Sequence, residues 1–267
     1  MTRFTIGAAT MQGMKRAVNQ DCVHVQVCSG DLALAVIADG LGAYADSAEA
    51  STFVCRHVAT AMENRSDVLP DRRSLTALIQ EANLHLWQQA LDESKVLRTT
   101  VSALACGVSH AIVGHVGDCR VYLARGETMR QITRDHAHQD SGPLQQLRRR
   151  LSAGDIPSAR HRLTRVMGDN PIVPVDVETI PLAAGDRFVL CCDGVWDVVD
   201  AEKMLAILQT HLEDISAAEQ LIALAREHGA TDDVSAAILS VHQVDAPAAA
   251  DMVPQLARRN WLTSLLS

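Results

Sequence analysis

Residues 32–40 read Leu32-Ala33-Leu34-Ala35-Val36-Ile37-Ala38-Asp39-Gly40. Seven apolar residues in a row predict a buried strand, and the Asp-Gly after them predicts a turn that delivers a carboxylate to the edge of a sheet. The pattern returns at Val189-Leu190-Cys191-Cys192-Asp193-Gly194. A third aspartate, Asp232, precedes the apolar run that starts at Val234. Any one Asp-Gly pair is most often a simple turn. Three carboxylates brought together at strand ends would repel one another, and cations between them would remove that repulsion. Oxygen-only donors of this kind suit Mg²⁺ and Mn²⁺.

Outward from this stretch, strands are expected at 4–9, 22–28 and 32–38. Helices follow at 44–62 and 74–96, the second with Leu75, Leu78, Ile79, Ala82 and Leu86 on one face. Strands resume at 99–107, 111–116, 119–124 and 128–132, the last two joined by a turn at Arg125-Gly126. Residues 134–165 are polar and read as a surface excursion with a short basic helix at 144–151. Further strands are expected at 175–180 and 186–192, helices at 201–211 and 216–228, and a last strand at 233–241. Ser216 and Glu219 form a capping box for the later helix, and Gly229 closes it. Strand clusters separated by helix pairs argue for antiparallel sheets with helices outside rather than a doubly wound parallel sheet. The class is α+β.

The chain has 267 residues, 48% of them hydrophobic and only 3% aromatic, so the core rests on Val, Leu, Ile and Ala. One domain over 1–244 and a linker with a short tail over 245–267 account for that length. A net charge of −8 excludes nucleic acid as the main partner. The longest clean apolar run is too short to span a bilayer, and the first twenty residues lack the apolar stretch of a signal peptide. The seven cysteines show no zinc-like spacing and read as reduced thiols of a cytoplasmic protein.

Several short motifs stand in a fixed order: Arg16-Ala17-Val18-Asn19-Gln20-Asp21, then Ala38-Asp39-Gly40-Leu41-Gly42 with Glu49-Ala50-Ser51, then Thr99-Thr100. Gly117-Asp118-Cys119-Arg120, Thr133-Arg134-Asp135-His136, Gly185-Asp186, Cys192-Asp193-Gly194 and Thr231-Asp232-Asp233 complete the series. From about residue 7 to about 240 the chain resembles the metal-dependent protein serine/threonine phosphatases (the PPM or type-2C family) in their compact bacterial form. The resemblance implies two packed antiparallel sheets flanked by helix pairs, an α-β-β-α sandwich, with two Mn²⁺ or Mg²⁺ ions in a cleft at one end. It implies that Asp39 bridges both metals and that the Gly40 carbonyl binds the second. Asp193 and Asp232 would complete the first site, and Asp21 would hold a water of the metal shell. Asp118 with Asp193 would form a weaker third site. Arg16 would bind the substrate phosphate, with Arg16, Asp39, Asp193 and Asp232 as the catalytic set. It further implies hydrolysis of phosphoserine and phosphothreonine on proteins by a water held between the metals, opposing a Ser/Thr kinase.

Some positions depart from the family pattern. Gln20 stands where many members carry Glu, and Leu41 where animal members carry a His proposed as general acid. Cys119 replaces a Ser, Ala43 a Gly, and Asp233 a frequent Asn. Plainer readings remain for parts of the set. Asp118 could serve only the loop amides, Arg16 could be a surface arginine, and Asp135 with His136 reads as a loop brace. A non-catalytic phosphatase-like binding module is the rival function, although such a module is expected to have lost one of Asp39, Asp193 or Asp232. Cys119 and Arg125 fit the Cys-x₅-Arg spacing of cysteine phosphatases, but a strand rather than a Gly-rich cradle lies between them. Leu256, Trp261, Leu262 and Leu265 could form a partner-docking face in the tail. Arg148, Arg149, Arg150, Arg160, Arg162 and Arg165 make the excursion basic.

Overall fold

Strand β3 (Ala33–Asp39) shows why the apolar run is uninterrupted: every residue from Ala33 to Ala38 is buried. Ala33, Ala35 and Ile37 join the cluster that contains Phe4, Val121 and Phe188. Leu34, Val36 and Ala38 point the other way, into the cluster with Val54, Val58, Leu75 and Ile79. A strand packed on both faces has no side left for polar residues, so the usual alternation is lost.

The computed structural model describes residues 3–14, 16–28, 31–42, 45–64, 69–137 and 163–245. The remaining elements are β1 (Phe4–Met11), β2 (Asp21–Val27), α1 (Ala45–Glu63), α2 (Arg72–Asp92), β4 (Val101–Cys106), β5 (His110–Val116), β6 (Arg120–Arg125) and β7 (Thr128–Gln131). After the excursion come β8 (Asp176–Pro181), β9 (Arg187–Cys191), the single turn α3 (Asp193–Trp196), α4 (Ala201–Thr210), α5 (Asp214–Glu227) and β10 (Val234–Val241). Two five-stranded sheets have the orders β1-β10-β9-β6-β7 and β2-β3-β4-β5-β8. Every pairing is antiparallel. Helices α1 and α2 cover the second sheet, and α5 covers β1 and β10 with α4 beside it. The expected α-β-β-α sandwich is what the chain adopts.

Local differences have local causes. Helix α2 starts earlier than its apolar face suggests, because Asp71 caps it by accepting from the Ser74 amide at 2.7 Å. The capping box at Ser216 is not used, and α5 begins at Asp214. Ser216 instead places its hydroxyl 3.1 Å from Nδ1 of His211. Gly229, at φ +89°, ends α5 as expected. Asp193 opens the turn α3 rather than sitting in a plain loop. Arms of the excursion meet through an Ala137–Leu163 bridge, with the Thr164 amide donating to the His136 carbonyl at 2.7 Å. Most of the excursion, including the expected helix at 144–151, lies outside the described residues, as does the tail from 246. All seven cysteines are free thiols.

Candidate active site

Pairing between β2 and β3 sets Asp21 opposite Asp39. The Asp39 backbone is held from three sides. Its amide donates to Thr100 Oγ1 at 2.9 Å, and its carbonyl accepts from Thr99 Oγ1 at 2.8 Å and from the Thr100 amide at 2.9 Å. Gly40 follows, with its amide on the Gln20 carbonyl at 3.0 Å. A Cβ at Gly40 would collide with the Ser47 and Gln20 carbonyls, so this crossing of chain segments admits only glycine. Strand β9 and turn α3 bring in Asp193, the loop before β10 brings in Asp232, and the β5–β6 turn brings in Asp118.

The electrostatics of these carboxylates record their convergence. Burial pushes Asp39 well above the usual carboxylate range, and the charges of Asp21, Asp193, Asp118 and Asp232 push it further. Asp193 is raised strongly by burial and then by Asp118, Asp232 and Asp21. Burial lifts Asp21 to about 6, against the opposing influence of Ser235 and Cys192, with Asp233 and Asp232 adding repulsion. Asp118, only 6% exposed, is lifted to about 7 by burial first and Asp135 next. Both carboxylate oxygens of Asp21 are buried without a hydrogen-bond partner of ordinary geometry, although Ser235 and Cys192 lie close. Orphaned buried oxygens within a cluster of mutually repelling carboxylates fit hard divalent cations, which accept oxygen donors and neutralise the charge.

Arg16 enters from the β1–β2 loop. Its Nε and Nη2 fork onto Asp232 at 2.6 and 2.8 Å, while Nη1 donates to Gln20 Oε1 at 2.5 Å and to the Gly42 carbonyl at 2.9 Å. Burial pulls its pKa down, but the bond to Asp232 and the charges of Asp232, Asp233 and Asp39 carry it above the ordinary arginine value. Arg16 is therefore no free surface arginine; it offsets part of the cluster's charge. Gln20 stands where a Glu was expected to be common, and as a neutral side chain it accepts from Arg16 without adding to the negative charge.

Asp233 is the residue that sequence reasoning undervalued. It is 3% exposed, and its two oxygens accept from the Gly13 amide at 2.6 Å and the Gln20 amide at 2.8 Å. It thus pins both ends of the loop that carries Arg16. Its signal in the sequence is a second carboxylate beside Asp232 at a strand entrance. Trp196 is buried and serves Asp118. Its Nε1 donates to the Asp118 carbonyl at 3.0 Å, and the Arg120 guanidinium lies 3.6 Å from its ring centre. Arg120 in turn forks onto Asp135. His136 accepts from the Gly117 amide through Nδ1 at 3.1 Å and meets Asp176 through Nε2 at 3.1 Å. Asp135 and His136 therefore brace the Asp118 turn, as expected of them. Leu41 is half-buried, its amide on the Arg98 carbonyl at 2.9 Å, and offers no titratable group.

Comparison with known proteins agrees with this geometry. The family model described as protein phosphatase 2C matches residues 11–227. Protein phosphatase PhpP of Streptococcus pneumoniae is 26% identical over 251 residues, covering 90% of this chain and 99% of its own. The crystal structure of the serine/threonine phosphatase PstP/Ppp of Mycobacterium tuberculosis superposes with a TM-score of 0.74 at 27% identity, covering 90% of this chain and 99% of that one. A PstP catalytic domain in complex with two manganese ions gives a TM-score of 0.72 at 28% identity, covering 91% and 99%. The chain belongs to the protein phosphatase 2C family.

Proposed function

We propose that the chain hydrolyses phosphoserine and phosphothreonine on proteins, with two Mn²⁺ or Mg²⁺ ions as cofactor. One observation carries the reading: four carboxylates, those of Asp21, Asp39, Asp193 and Asp232, act on one another at the meeting of the two sheets, and the buried Asp21 oxygens accept no hydrogen bond of ordinary geometry. When bound, the ions would neutralise the phosphate and lower the pKa of a water. Asp39, Asp193 and Asp232 with the Gly40 carbonyl would hold the two ions, and Asp21 would orient a water beside them. Asp118 and Asp193 would hold a third, weaker ion. Arg16, whose fork here rests on Asp232, would turn it to the phosphate oxygens and clamp them in a bidentate grip. Leu41 carries no proton, so the leaving seryl or threonyl oxygen is not protonated from that position.

The complete carboxylate set disfavours a binding module without turnover. A phosphoprotein made by a Ser/Thr kinase is the proposed partner, and the cytoplasm the proposed compartment. No helix among the described residues is long and apolar enough to cross a membrane. The segment 245–267 is proposed as a partner-docking tail on the catalytic unit of 1–244. A matched pair of phosphothreonine and phosphotyrosine peptides tests the substrate class. With Mn²⁺ present, phosphate release from the first should exceed that from the second by at least about tenfold, a barrier difference of about 1.4 kcal/mol. Equal rates would remove the Ser/Thr assignment, and binding of either peptide without release would favour the module.

A further inference from the structure

The outer helical layer carries a second cluster of metal-ligating side chains, remote from the cleft. His57 on α1 faces Glu81 and His85 on α2, and one ligand atom from each lies within 4.8 Å of the other two. Glu81 and His85 are four apart on one helix, so they share a face. We propose that His57, Glu81 and His85 form a binding site for one transition-metal ion of the Zn²⁺ class, bridging α1 and α2.

The donor set decides the class of ion. The cleft offers oxygen alone, which suits Mg²⁺ and Mn²⁺. Two imidazoles and one carboxylate suit Zn²⁺, Co²⁺ or Ni²⁺. Three protein ligands with water in the fourth position is the arrangement of an open tetrahedral zinc site. Ligand atoms in such a site stand about 3.4 Å apart, given metal–ligand bonds of about 2.0–2.1 Å. Glu81 and His85 are exposed and His57 half-buried, so small side-chain rotations can close the remaining gap. The rings are already arranged, with His57 and His85 edge to face at 5.4 Å between centres and Phe53 tilted against His57 at 5.5 Å. Burial lowers the His57 pKa, Glu81 opposes this and His85 reinforces it, and the neutral imidazole that results is the form that ligates.

Location separates this site from catalysis. Ser47, near the start of α1, packs under Gly40 of the cleft. His57 lies ten residues further along α1, about 15 Å away by helical rise. The same two helices are already joined nearer the cleft, where Glu49 accepts from Gln89 at 2.7 Å and from Lys95 at 2.9 Å. A metal at His57, Glu81 and His85 adds a second clip to the antiparallel pair.

The test uses the full chain saturated with Mn²⁺ and titrated with Co²⁺. An oxygen-lined octahedral site absorbs weakly, whereas a four-coordinate nitrogen and oxygen site absorbs strongly. One equivalent of Co²⁺ should give the strong band, one equivalent of Zn²⁺ should bleach it, and His57→Ala, His85→Ala and Glu81→Gln should each abolish it. Glu81→Gln keeps the side-chain shape, and metal-free melting curves matching wild type would exclude a folding defect. Absence of the band, its survival in His85→Ala, or a sulfur charge-transfer band from the cysteines would overturn the assignment.

Discussion

Asp39 illustrates what a residue in this cleft gives up for its task. Its backbone is fixed by Thr99 and Thr100, and its carboxylate is crowded by four others. In metal-free protein the burial of these carboxylates, reinforced by their neighbours' charges, has a thermodynamic sign. Asp21 at about 6 and Asp118 at about 7, with Asp39 and Asp193 also raised, all lie above the unfolded value of roughly 4. The folded state therefore holds more protons than the unfolded state between about pH 4 and 7, and stability falls as pH rises through that window. The melting temperature of EDTA-treated protein should drop from pH 5 to pH 7.5 more steeply in wild type than in Asp39→Asn. Mn²⁺ should restore more at pH 7.5 than at pH 5. A flat wild-type profile would contradict the electrostatic reading. In activity, Arg16→Ala should lower kcat/KM by on the order of 10²-fold, the scale for losing one charge-stabilising donor. Arg16→Lys should not recover it, because an ammonium cannot form the fork. Asp39 and Asp193 were legible in the sequence because an apolar run ending in Asp-Gly is a local pattern, and Asp232 because it stands at the entrance of another apolar run. Arg16's fork on Asp232 was not, because it joins residues 216 positions apart.

At the scale of elements, the Arg16 loop depends on Asp233 more than on its own sequence. Removing that carboxylate in Asp233→Ala leaves two backbone amides, those of Gly13 and Gln20, without their acceptor. The loss should be about 3 kcal/mol in a urea titration, within the range for stranding buried donors. Asp233→Asn, which keeps one acceptor, should lose less. An effect below about 0.5 kcal/mol for the alanine variant would show that the loop is held by something else. Helix α5 teaches the same lesson about starts. Ser216 and Glu219 carry the local cap signal, yet the helix begins at Asp214. That side chain is drawn inward by Arg187 at 2.6 Å, Ser240 at 2.6 Å and Thr5 at 2.6 Å. A buried ion pair between distant segments outranks a local cap, and no window of sequence contains it.

For the whole molecule, β3 is the shared wall of two cores, one between the sheets and one beneath α1 and α2. Ile37→Ala should therefore destabilise by about 2–5 kcal/mol, while Ile172→Ala, at a side chain 76% exposed, should stay within about 0.5 kcal/mol. Comparable losses at the two positions would mean that β3 is not central. The sandwich class was readable because helix pairs interrupt clusters of strands. The strand order was not, since β1 pairs with β10 across most of the chain and β5 with β8 across the 134–165 excursion. That long-range pairing sets Asp21, Asp39, Asp193 and Asp232 at one end of the sandwich. The most direct test of the account is phosphate release from a phosphothreonine peptide by wild type and Asp232→Ala, each with Mn²⁺, with Mg²⁺ and with EDTA. Turnover by wild type that requires the metal, and a loss in Asp232→Ala well beyond that in Arg16→Ala, is the predicted result. Equal turnover by Asp232→Ala and wild type in Mn²⁺, or undiminished turnover in EDTA, would contradict it.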